Sequence, residues 1–163
     1  MLIVLEGCDG SGKTTLANKL AAILGAEIIH CTTETPNSYD FFVDIIEMSK
    51  TRNIIADRFC YGQFVYQKRE DRPLRDEHNL YDLELEMMNA GVRVIYVDCD
   101  TEVMQGRLAQ RGEETVKPVE KIQLAYANLF EKSLLPIVVA DTTKPELALH
   151  PFWKNWKSRR ARV

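Results

Sequence analysis

The sequence predicts an α/β domain built on a five-stranded parallel sheet with helices on both faces. Three observations carry this. Five short apolar runs recur along the chain, most of them apolar on both faces, as strands of a doubly covered parallel sheet are. Stretches with 3.6-residue apolar spacing alternate with them. A glycine-rich turn joins the first run to the first helical stretch.

The elements follow in order. Residues 2–5 form the first expected strand. Leu16, Ala17, Leu20, Ala21 and Leu24 mark the first helix, and Gly25 is its natural stop. Residues 27–30 are the second strand, and Phe42, Val43, Ile45 and Ile46 mark the second helix. Residues 53–56 are the third strand; Leu80, Leu83 and Met87 lie on a helix before Gly91. Residues 92–97 are the fourth strand, Val119, Ile122, Tyr126, Leu129 and Phe130 mark a late helix, and residues 136–140 are the fifth strand. No internal repeat or Pro/Gly/Ser linker divides the 163 residues, so one domain is expected.

Composition narrows the function. The chain is 45% hydrophobic and 28% charged, which excludes disordered and low-complexity classes. No apolar run approaches the ~20 residues of a membrane span, and the N-terminus lacks the basic flank of a signal peptide. Cys8, Cys31, Cys60 and Cys99 form no C-x-x-C pair and read as reduced, buried thiols of a cytoplasmic protein. His30, His78 and His150 share no metal-ligand spacing and receive no role. A net charge of -3 excludes a general nucleic-acid binder.

Gly7-Cys8-Asp9-Gly10-Ser11-Gly12-Lys13-Thr14 fits G-x-x-x-x-G-K-[ST] between a strand and a helix, the phosphate-binding loop of P-loop NTPases. Glycines let successive N–H groups point at phosphate oxygens, and the helix directs the positive end of its dipole there. Gly10, Ser11, Gly12, Lys13, Thr14 and Thr15 are therefore the expected ATP site. Lys13 supplies charge to the β/γ-phosphates, and Thr14 is the expected Mg²⁺ ligand. A GTPase is excluded: there is no N-K-x-D, and the only D-x-x-G is Asp9-Gly10-Ser11-Gly12, inside the loop itself.

The opening Glu6-Gly7-Cys8-Asp9-Gly10-Ser11-Gly12-Lys13-Thr14-Thr15 resembles that of thymidylate kinases, E-G-x-D-G-S-G-K-T-T. Asp57-Arg58-Phe59, followed by Tyr66-Gln67, is similar to that family's D-R-[YFH]-x6-[YF]-[QST] element. Arg107-Leu108-Ala109-Gln110-Arg111-Gly112 looks like its lid, here about residues 107–120. The compact length suits a phage or prophage form. The resemblance implies ATP-dependent phosphorylation of a deoxynucleoside monophosphate, dTMP or a related pyrimidine, with ATP as co-substrate and Mg²⁺ as cofactor. It implies that Asp9 accepts from the sugar 3′-hydroxyl, Arg58 holds the acceptor phosphate, Tyr66 packs near the sugar 2′ carbon, and Asp57 reaches Mg²⁺ beside Thr14. Glu6 joins Asp9, Arg58 and Tyr66 in the implied acceptor site. Arg107 and Arg111, one helical turn apart, join Lys13 and Arg58 as the implied catalytic cations, with Lys117 a further lid candidate.

Plainer readings stand beside these. Asp57 and Arg58 could form a surface ion pair, Tyr66 could be core, Arg107 and Arg111 a solvated helix face, and Glu6 a strand-end acid. In deoxynucleoside kinases the glutamate at this position acts as a base, so a deoxynucleoside or other small-molecule kinase using Glu6 is the alternative. A non-catalytic nucleotide-binding module is the third. Only 44 positions separate Lys13 from Asp57, and Cys31-Thr32-Thr33-Glu34-Thr35-Pro36-Asn37-Ser38 stands where the family reads R-E-P-G-G-T. Phe41 or Phe42 is the nearest aromatic for reading a base, and the base stays open. The loop Asp141-Thr142-Thr143-Lys144 is expected on the adenine side. Lys68, Arg69, Arg72 and Arg75 form a basic run that is either solvated or adds charge near the acceptor. The tail, about residues 150–163, combines Phe152, Trp153 and Trp156 with five basic residues. It is expected to dock a final helix on the domain or on a second copy in a homodimer, without nucleic-acid or membrane contact.

Overall fold

The computed structural model describes residues 1–32, 34–36, 38–67, 77–113, 117–143 and 148–151, with backbone alone at 77, 78 and 148–151. Five parallel strands form the sheet: β1 (Leu2–Glu6), β2 (Glu27–His30), β3 (Ile54–Asp57), β4 (Arg93–Asp98) and β5 (Ile137–Asp141). Their spatial order is β2-β3-β1-β4-β5, so the connection after β1 leads to one side of the sheet and the connection after its neighbour β4 leads to the other. Such switch points open a crevice at the carboxyl ends of the strands. Parallel neighbours require crossovers, and helices supply them: α1 (Lys13–Leu24), α2 (Tyr39–Met48), α3 (Tyr61–Tyr66), α4 (Glu77–Asn89), α5 (Thr101–Arg111) and α6 (Val119–Phe130).

Alternation along β1 shows how both faces are covered. Leu2 and Val4 enter a large core with Phe42, Leu83, Tyr96, Tyr126 and Phe130. Ile3 and Leu5 enter a second core with Leu16, Ala17, Ile55, Val97 and Ala140, under α1. Gly25 ends α1 in the left-handed conformation, φ 57°, its N–H donating to Ala21 O. Ser38 begins α2, its hydroxyl accepting from Phe41 N at 3.2 Å.

The expected elements are present, with three differences. Four of the strands run one residue beyond the apolar run, to Glu6, Asp57, Asp98 and Asp141. Apolarity stops at each acid while backbone pairing continues, as Leu5↔Asp57 and Asp98↔Asp141 show. Second, α3 has six residues, too few to declare a period. Third, β6 (Ala148–Pro151) pairs antiparallel with β5, Pro151 opposite Val138. This takes His150 and Pro151 out of the expected tail, and proline is tolerated because the strand is at the edge. The tail aromatics, the basic run at 68–75, Lys144 and lid residues 114–116 lie outside the described residues.

All four cysteines are free and buried. Among the described residues no helix is long and apolar enough to cross a membrane.

Candidate active site

The carboxyl edge of the sheet carries the site. The turn between β1 and α1 bends back at Gly10, φ 79°, where a Cβ would lie 2.9 Å from Met104 O of α5. At Gly7 a Cβ would meet Val97 O of β4 at 2.4 Å. The backbone therefore packs against β4 and α5 at a distance only glycine permits. Gly12 caps α1 with no side-chain bond, and the first turn holds no acid. Its N–H groups are left to an anion. The buried Ser11 hydroxyl has no hydrogen-bond partner among the described residues. Lys13 Nζ donates to Gly7 O at 3.0 Å and Cys8 O at 2.7 Å. Burial, and secondarily the Arg58 charge, push its pKa down to about 8.

Thr14 Oγ1 donates to Asp57 Oδ2 at 2.8 Å. The end of β3 thus reaches the start of α1. His30 Nδ1 lies 3.2 Å from the same Asp57 oxygen. No sequence spacing links His30 to Asp57; their pairing follows from β2 lying beside β3, with the two residues in register.

Arg58 is a non-glycine residue at φ 70°. Its N–H donates to Leu5 O at 2.9 Å. Its guanidinium pairs with Asp9 and lies over the Tyr66 ring, 4.8 Å from the centroid. The plain reading of Tyr66 as core and its reading as a site residue meet here: the ring backs the cation that enters the site. Glu6 is fully buried. Its Oε1 accepts from Phe59 N at 2.9 Å and Gly62 N at 3.3 Å, and its Oε2 from Tyr126 Oη at 2.9 Å. Burial raises its pKa above the usual carboxylate range, opposed by the Arg58 charge and these bonds.

From the other side comes α5. Arg107 donates through Nη1 to Gly10 O at 3.1 Å and through Nη2 to Thr142 O at 3.1 Å. Thr142 Oγ1 in turn donates to Ser11 O. Arg111 is half exposed, its Nη1 3.6 Å from Glu113. Lys117 turns away to donate to Val65 O at 2.8 Å.

Together, Asp9, Gly10, Gly12, Lys13, Thr14, Thr15, Asp57, Arg58, Arg107 and Arg111 line one cleft of about 670 Å³. Lys19, His30, Cys31 and Thr142 complete part of its wall. Glu6, Ser11 and Tyr66 lie outside that lining. Phe42 is fully buried in the core, and Phe41 packs edge-on against it. Tyr126 was missed as a site residue because it sits on the apolar stripe of its helix.

The donor set suits a triphosphate and a hard cation: an uncapped helix start, a lysine, and oxygens on Thr14 and Asp57. Among the described residues no group of three or more His, Cys, Asp or Glu could hold a metal ion.

No model of a known protein family matches the chain. The SPbeta prophage-derived uncharacterized protein YorR of Bacillus subtilis is 30% identical over 147 residues, covering 86% of this chain and 88% of YorR. The "Probable thymidylate kinase" of Methanocaldococcus jannaschii is 29% identical, covering 88% of each chain. The crystal structure of YorR in complex with phosphorylated GDP superposes with a TM-score of 0.74 over 87% of this chain and 86% of YorR, at 29% identity.

Proposed function

Since the chain belongs to the thymidylate kinase-like P-loop kinases, with the prophage protein YorR among its relatives, it is a nucleotide kinase, and we propose that it phosphorylates a deoxynucleoside monophosphate at the expense of ATP. The preferred acceptor in this reading is dTMP or a related pyrimidine nucleotide. One observation carries the acceptor assignment. Arg58 enters the same cleft as Lys13, held by Asp9 and Tyr66, and so offers a second phosphate-binding cation beside the P-loop.

In this mechanism the ATP phosphates lie on the loop, bound by its N–H groups and Lys13. Thr14 and Asp57 would hold Mg²⁺, which neutralises phosphate charge. Arg58 grips the acceptor phosphate with its guanidinium fork, and Asp9 accepts from the sugar 3′-hydroxyl. Tyr66 stands behind Arg58 near the sugar. An ionised oxygen of the acceptor attacks the γ-phosphorus as the bond to the β,γ-bridging oxygen breaks, and ADP leaves with that oxygen. No base is needed, because the attacking oxygen carries no proton at neutral pH. Arg111 closes over the transferring group, while Arg107 holds the loop that carries it.

YorR was solved with phosphorylated GDP, so a guanine nucleotide is the second ligand class to test. A coupled ADP-release assay with dTMP, dCMP, dGMP, dAMP, thymidine and shikimate decides. Turnover of a monophosphate, with thymidine inert, is the expected result. Turnover of thymidine but no monophosphate would reverse the reading, and no turnover of any acceptor would leave a nucleotide-binding module.

A further inference from the structure

We propose that Glu6 is a positioning residue for Arg58, acting through the turn 59–62 and through Tyr126, and that it is not a base. The proposal rests on the acceptor-phosphate role given to Arg58 above.

Leu5 and Glu6, consecutive in β1, clamp Arg58 from both sides. Leu5 O accepts from the N–H of Arg58 itself. Glu6 Oε1 accepts from the N–H of the next residue, Phe59. Between the two bonds lies the one non-glycine residue with positive φ among the described residues, at 70°. Such a conformation persists in an L-residue only where its surroundings fix it. The second oxygen of Glu6 extends the clamp to the side chain. It holds Tyr126 Oη, the Tyr126 ring meets Tyr66 at 6.4 Å, and Tyr66 lies under the Arg58 guanidinium. Backbone and side chain of Arg58 thus both lead back to one carboxylate.

The same bonds remove Glu6 from chemistry. A base must come within hydrogen-bond reach of the proton it takes. Both oxygens of Glu6 are occupied by interior donors, the residue is fully buried, and it does not line the cleft.

Glutamine separates the two roles. Its amide oxygen can accept from Phe59 and Gly62 N–H, and its NH₂ can donate to Tyr126 Oη, so the network survives while basicity is lost. Steady-state kinetics with the preferred monophosphate should give Glu6→Gln an acceptor KM and kcat within about threefold of wild type. Glu6→Ala should raise acceptor KM about tenfold or more, with ATP KM within about twofold. Tyr126→Phe, which fills the same space, should raise acceptor KM about threefold and covers the case in which Glu6→Ala does not fold. A loss of kcat of about a hundredfold in Glu6→Gln, or an unchanged acceptor KM in Tyr126→Phe, overturns the proposal. The Nε–H NMR signal of Arg58, assigned by its loss in Arg58→Lys, reads the same point without turnover. It should be dispersed in wild type and Glu6→Gln and collapse toward the solvated position in Tyr126→Phe. An unchanged signal in Tyr126→Phe overturns the proposal, whereas a wild type inert toward every monophosphate defeats the acceptor reading and leaves this test standing.

Discussion

Lys13 shows what burial does to a single charge. Its ammonium is held against the carbonyls of Gly7 and Cys8, and its pKa falls from 10.5 to about 8, chiefly through desolvation. Below about 8 the group is charged folded and unfolded, and burying it costs stability. Between about 8 and 10.5 the unfolded chain binds more protons, so this contribution to stability rises with pH across that window. Phosphate binding runs the other way, because it needs the charged form. Calorimetry of ATP binding should show affinity nearly flat from pH ~6.5 to ~7.5, then falling toward tenfold per pH unit above the folded pKa. Proton uptake should appear in the same range, and flat affinity to pH ~9.5 would exclude Lys13 as the titrating phosphate ligand. Lys13→Ala should cost phosphoryl transfer at least about 3 kcal/mol, roughly a hundredfold, with the circular-dichroism spectrum kept. Lys13 was legible from its motif alone. The partners of His30 and Glu6 were not, because strand pairing and helix packing, rather than spacing, bring those partners close.

At the scale of elements, α5 is a brace. Through Arg107 it ties Gly10 of the phosphate loop to Thr142 after β5, and Thr142 reaches back to Ser11. The sequence places both arginines one turn apart on one helix face, and the structure gives them different surroundings. Arg107→Met should lower unfolding free energy in urea by about 1–3 kcal/mol, because charge-assisted bonds are lost. It should also weaken ATP binding about tenfold as the loop loosens. Arg111→Ala, at a half-exposed site beside Glu113, should change stability by less than about 0.5 kcal/mol while lowering kcat. Reversed effects would exchange the two roles. Element ends were less legible than element cores. A strand read by apolarity stops at its last apolar residue, so Glu6, Asp57, Asp98 and Asp141 fell just outside. Those four acids end strands at the carboxyl edge of the sheet, and of the four Asp57 lines the cleft. Two are anchored there by Thr14 or by the turn 59–62, while Asp98 accepts from Gln123 and Asp141 from Thr143 N–H.

For the whole molecule, a second buried carboxylate joins parts far apart in the chain. Glu84 of α4 accepts from Tyr61 Oη at 2.8 Å, from Ser133 Oγ and from Leu134 N at 2.9 Å, linking α3, α4 and the turn before β5. Glu84→Ala strands three donors, two of them on buried or half-buried groups, and should cost about 3 kcal/mol in urea denaturation, with ATP KM unchanged. A loss below about 1 kcal/mol would mean that water replaces the carboxylate. The class of fold, the five parallel strands, the phosphate loop and the stop of α1 at Gly25 all follow from local chemistry: apolar period, glycine freedom and an eight-residue motif with four fixed positions. The sheet order β2-β3-β1-β4-β5, the antiparallel β6, the pairing of His30 with Asp57 and the enclosure of Glu6 by residues 53 to 120 positions away do not. Periodicity reports which face of a segment is apolar, whereas neighbours are chosen by packing segments against one another. The acid at the end of β1 reads as a candidate base until folding surrounds it with donors, and only that burial makes it an anchor.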